Sequence, residues 1–110
     1  MDGLSDNPFD DTVLMAAAAG GDQEAFAAIV RRHQRGLVNF FIRLGASSFA
    51  DDLAQETFVR LYRYRQRYRP TARFTTFLYT LARHAWYDLL RKRKRQDEGL
   101  ARFQDETAVR

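Results

Sequence analysis

Between Phe74 and Arg95 the apolar residues Phe74, Phe77, Leu78, Leu81, Ala82, Ala85 and Leu89 recur at three- and four-residue steps. That spacing is the mark of one helical face. No Pro or Gly interrupts the stretch, so it predicts a single helix of about 33 Å at ~1.5 Å per residue. The complementary surface carries Thr76, Tyr79, Thr80, Arg83, His84, Tyr87 and Arg91, and the stretch ends in five consecutive bases, Arg91, Lys92, Arg93, Lys94 and Arg95. A core-facing side, an aromatic and hydrogen-bonding side and a cationic end therefore share one element.

Upstream the same period predicts three more helices. A short one runs over Asp11–Ala19 and stops at Gly20-Gly21. Asp22 is placed to cap a second, whose stripe is Phe26, Ile29, Val30, Leu37, Phe40, Phe41 and Leu44, with Gly36 as a weak point and Gly45 as its C-cap. Ser47 or Ser48 opens a third, where Ser48-Phe49-Ala50-Asp51 has capping-box spacing with Asp in place of Glu. Its buried face is Ala50, Leu53, Ala54, Thr57, Phe58 and Leu61, and Pro70 ends it. The fold class expected is all-α, a compact bundle of three main helices plus a short N-terminal helix. The polar residues 1–10 are expected to be a flexible leader, 11–95 the folded domain, and 96–110 a linker or frayed tail.

Charge changes the picture more than composition does. An apolar fraction of 45% suffices for one core, and there is no Cys, so neither a disulfide framework nor a thiolate metal site is expected and a reducing cytoplasm fits. The longest apolar run, Val13–Ala19, is too short to span a bilayer. The net charge of +4, however, divides into −4 over residues 1–60, +10 over 61–95 and −2 over 96–110. Asp88 is the single acid among eleven bases in the middle block. Such a block, interleaved with aromatics, is the footprint of a polyanion binder.

Catalytic chemistry is poorly provided for. His33 and His84 are the only histidines, and no HExxH, CxxC, GxSxG or phosphate-loop spacing occurs. No metal and no cofactor is expected. Tyr62, Tyr64, Tyr68, Phe74, Tyr79, Trp86 and Tyr87 lie among Arg63, Arg65, Arg67, Arg69, Arg73 and Arg83. Arginines neutralise phosphate and aromatic faces stack on unpaired bases, while Phe74 and Phe77 are expected to complete the core. The pattern favours a protein that grips strand-separated DNA.

Three blocks in order then resemble one family. Asp51 to Tyr62 (DDLAQETFVRLY) resembles the D-D-L-x-Q-E-x-F-x-R-L-[WY] signature of bacterial RNA polymerase sigma factors of the extracytoplasmic-function group. Gly21 to Phe26 resembles that group's G-D-x-x-A-F. Phe74 to His84, followed by Asp88-Leu89-Leu90-Arg91, resembles F-x-x-W-L-x-x-I-A-R-N…D-x-L-R. Phe77 stands where the family has Trp, and His84 where it has Asn, which changes the hydrogen-bond chemistry at a DNA-contact position.

The resemblance implies a region-two domain that is not an enzyme. It implies docking on the clamp helices of the largest subunit of core RNA polymerase through Asp52, Gln55, Glu56 and Arg60. It further implies recognition and melting of the −10 promoter element through the loop Arg69 to Arg73 and the helix residues Tyr79, Arg83, His84, Tyr87 and Arg91. Arg91, Lys92, Arg93, Lys94 and Arg95 would follow duplex phosphate. An inhibitory anti-sigma factor is a common partner of the group. The family's second DNA-binding domain is absent from these 110 residues, so the chain reads as the N-terminal piece of a longer factor. Two other readings use the same residues: an autonomous nucleic-acid-binding regulator that never meets polymerase, and a protein adaptor in which the bases are incidental.

Overall fold

In the computed structural model, residues 10–71 and 73–108 are described, with side chains through residue 100; the leader expected at residues 1–10 lies outside them except for Asp10. The element order is α1 (Asp11–Ala19), α2 (Gln23–Arg43), a single 3₁₀ turn (Ser47–Phe49), α3 (Ala50–Tyr64) and α4 (Phe74–Ala108). The fold is an all-α bundle, with no strand among the described residues.

The capping chemistry explains the boundaries. Asp10 accepts from the Thr12 amide at 2.8 Å to start α1, and Asp22 accepts from the Ala25 amide at 3.0 Å to start α2. Both helices end in the same way. Gly21 (φ +105°) and Gly45 (φ +86°) turn left-handed, and the next amide reaches back to Ala17 O or Phe41 O. This Schellman geometry satisfies carbonyls that the helix leaves unpaired and needs a residue without Cβ.

The capping box expected at Ser48 does not form. The chain enters α3 through the 3₁₀ turn, Phe49 takes the cap position and no side chain bonds a free amide there. With Asp51 and Asp52 in the first turn, the helix dipole supplies the favourable term instead.

Ile29, Leu37, Phe41, Leu61, Leu78 and Met15 are completely buried, each burial worth roughly 1.5–3 kcal/mol. All six positions of the expected α3 face are buried, and Thr57 is satisfied by donating to Leu53 O at 2.7 Å. Leu44 departs from expectation: α2 ends at Arg43, and Leu44 is left 43% exposed on the turn.

Helix α4 is longer than its apolar stripe. The expected linker or tail is helical from Gln96 to Ala108. It contains no Pro and one Gly, and adding residues to a helix already nucleated costs little. Residues 91–100 are all exposed; past Lys92 and Arg93 the helix leaves the bundle, and the molecule measures 69 × 27 × 23 Å.

Candidate nucleic-acid and partner interfaces

Helix α3 presents a ridge with a groove on either side. Asp51, Asp52, Gln55 and Val59 are exposed along it, with Glu56 and Arg60 half-buried. The groove toward α2 has a volume of about 620 Å³ and an apolar floor of Phe26, Val30, Phe58 and Tyr62, rimmed by Gln34, Asp51, Gln55 and Arg63. The groove toward α4, about 370 Å³, is charged: Asp52, Glu56, Arg60, Asp88 and Lys92 surround Leu53, Ala85 and Leu89. Of the four residues assigned to the polymerase face, Asp52, Glu56 and Arg60 thus share the α4 seam, whereas Gln55 faces the α2 groove. Sequence reasoning missed the apolar groove. Its signal was Phe26 and Val30 on one helix and Phe58 and Tyr62 on the next, each pair four residues apart.

Arg60 crosses the seam. Its Nε donates to Glu56 at 2.8 Å and its Nη1 reaches Asp88 of α4 at 2.9 Å. Asp88 also accepts from Arg91. The Glu56 hydrogen bond, followed by the Asp88 contacts, outweighs burial and raises the Arg60 pKa. The Arg60 hydrogen bond is the first cause that lowers the Asp88 carboxyl below its usual range. With its folded pKa depressed, Asp88 contributes stability above the carboxylate range and loses it as pH falls through its folded pKa.

The residues assigned to DNA divide into four groups. Arg83, His84, Tyr87, Arg91, Lys94 and Arg95 are exposed on α4, and His84, Tyr87, Arg91 and Arg95 follow one another at helical spacing on one outer stripe. Lys92 and Arg93 are exposed as well but lean elsewhere: Lys92 lines the α3 seam, and the Arg93 guanidinium lies 4.8 Å from the Phe49 ring centroid.

Tyr79 is in the third group, packed between helices. Its ring meets Phe40 edge-on at 5.0 Å, and its hydroxyl sits 2.8 Å from where a Cβ on Gly36 would be. Gly36, the expected weak point of α2, is therefore the notch that admits Tyr79. Burial raises the Tyr79 pKa, Arg43 offsetting part of the effect.

In the loop, Arg69 donates to the carbonyls of Gln66 (3.5 Å) and Tyr68 (3.1 Å). Arg73 is exposed beside a shallow cleft of about 280 Å³ formed with Asp10, Asp11, Thr12, Phe74 and Thr75. Tyr68 anchors the loop by its ring's contacts with Phe74 and Phe77, centroid to centroid 6.1 and 5.3 Å. The exposed tyrosines at the end of α3 have occupied faces: Arg65 lies 3.8 Å over Tyr62, whose ring also meets Phe26 edge-on, and Tyr64 contacts Phe77.

The family described as Sigma-70 region 2 matches residues 29–96. RNA polymerase sigma factor CarQ of Myxococcus xanthus is 37% identical over 78 residues, which is 70% of this chain and 45% of that protein. The ECF RNA polymerase sigma-E factors of Salmonella typhimurium and Escherichia coli are each 35% identical over 72 residues, 66% of this chain and 38% of theirs. The chain spans less than half the length of these relatives. With the family match covering more than half of the chain, the protein belongs to the sigma-70 region 2 family, in its extracytoplasmic-function group.

Proposed function

We propose that this chain is the region-two domain of a transcription initiation factor, docking on core RNA polymerase through the α3 ridge and recognising and melting the −10 promoter element through α4 and the loop before it. The observation that carries the reading is the separation of two surfaces on one rigid bundle: an acidic ridge flanked by grooves, and an outer cationic stripe on α4. A ridge with a groove on each side suits a partner that presents paired helices, and the stripe suits a phosphate backbone. Catalysis belongs to the polymerase.

The test is binding of the chain to immobilised core polymerase, followed by titration of a fluorescent −10 oligonucleotide as non-template single strand or as duplex. The chain is expected to be retained, and the assembled complex to prefer the unpaired strand on the order of tenfold or more, because opening a duplex costs a few kcal/mol per flipped base. Equal affinity for duplex with and without polymerase would establish the autonomous regulator instead.

The two sets of bases on α4 give a further prediction. Arg91→Gln with Arg95→Gln removes two charges from the outer stripe; Lys92→Gln with Arg93→Gln removes the same charge from the side turned toward α3. In the complex with core polymerase, the first pair is expected to lower the slope of log affinity against log salt for duplex DNA by roughly 1.8, from ~0.9 per phosphate contact. The second pair is expected to change it by less than half as much.

A further inference from the structure

Asp88 is the only acid among eleven bases between residues 61 and 95, and neither surface described above gives it a role. Its two carboxylate oxygens have different partners. Oδ2 pairs with Arg60 across the helix seam at 2.9 Å, and Oδ1 accepts from Arg91, one turn further along α4. Arg60 in turn donates to Glu56. Glu56, Arg60, Asp88 and Arg91 thus form an unbroken row of alternating charge. The row begins on the α3 ridge, crosses the seam above Leu53, Ala85 and Leu89, and ends on the outer stripe of α4.

We infer that Asp88 is a positioning residue that couples the two surfaces: it withholds Arg91 from phosphate in the free chain and releases it as Glu56 is engaged on the ridge. This inference rests on the function proposed above. In an alternating row, neighbouring pairs compete. A cationic partner group that takes Glu56 leaves Arg60 to Asp88 alone, and a carboxylate committed to Arg60 holds Arg91 less tightly. The freed guanidinium can then take two oxygens of a phosphate. By linkage the effect is reciprocal, so a phosphate that captures Arg91 prepares Glu56 for the partner. The side chains of Arg60, Asp88 and Arg91 are 28%, 44% and 63% exposed, so solvent limits the coupling to about two- to fivefold in affinity.

The test uses the chain with a fluorescent single-stranded −10 oligonucleotide, with and without core polymerase. Asp88→Asn is compared with Asp97→Asn, which removes the same charge from an exposed position further along α4. Asp88→Asn is expected to raise the affinity of the free chain about two- to fivefold beyond Asp97→Asn, and to shrink the tightening caused by polymerase by the same factor. Asp88→Glu keeps the carboxylate and is expected to restore part of that tightening, which a merely structural loss would not do. Identical behaviour of Asp88→Asn and Asp97→Asn, or full polymerase-dependent tightening in Asp88→Asn, would overturn the inference while leaving the proposed function intact. A wild-type chain that binds neither polymerase nor strand would overturn both.

Discussion

Replacing Gln55 and Glu56 together by alanine is expected to weaken binding to core polymerase by a factor on the order of 10², a loss typical of a central interface pair. Gln55 is exposed at the crest between the two grooves and Glu56 starts the charged row at its side, so a partner seated on the ridge meets both. The same change should scarcely touch the fold. Neither side chain belongs to the core, the Glu56–Arg60 pair is partly exposed and worth at most about 1 kcal/mol, and alanine is the better helix former. Titration against immobilised core polymerase, with a thermal melt followed by circular dichroism on the same sample, separates the two effects. Unchanged affinity would remove the ridge from the docking face. A collapsed melting transition would mean that these residues hold the bundle in a way their exposure contradicts.

How much of this was legible in the sequence depends on whether the controlling interaction is local. The bounds of α1, the Asp22 cap and the buried face of α3 follow from spacing and capping chemistry within a few residues, and the structure agrees. The 3₁₀ turn before α3 was not legible, because a capping box competes there with a tighter turn of almost the same sequence. Helix α4 runs beyond the domain limit expected at Arg95 because periodicity detects a helix by its apolar face, and beyond Arg95 the sequence carries no sustained apolar stripe.

The site divides in the same way. The acids of the ridge and the bases of α4 could be read from charge and motif. Their directions could not, since five consecutive bases at ~100° per residue must point all around the helix. Only the packing of α3 against α4 decides that Lys92 and Arg93 lean inward while Arg91 and Arg95 do not. Tyr79 lay off the stripe yet fits against α2, because Gly36, 43 positions earlier in the chain, leaves the space. Asp88 stood out by composition alone, and its partner Arg60 lies on another helix. Contacts between elements are what the sequence pattern withholds.

Phe41→Ala is expected to destabilise the domain by about 3–5 kcal/mol, the range for truncating a fully buried phenylalanine. Phe41 has no exposed surface and heads the fully buried side chains by volume. Its ring packs edge-on against Phe40 at 5.3 Å, and Phe40 in turn supports Tyr79 of α4 at 5.0 Å. Its carbonyl accepts the Ala46 amide that closes the turn toward α3. A cavity here therefore loosens α2 where it meets both of the helices that carry the proposed surfaces. A single domain holds only about 5–15 kcal/mol in total, so the melting midpoint should fall by roughly 15–20 °C. Polymerase and DNA binding should then fail together in proportion to the unfolded fraction, unlike the Gln55/Glu56 pair, which removes one surface from an intact bundle. Phe41→Leu keeps most of the volume and is expected to recover more than half of the lost stability. Calorimetry of the two variants decides it: an alanine variant that melts within about 5 °C of the parent would mean that the core does not close around this ring.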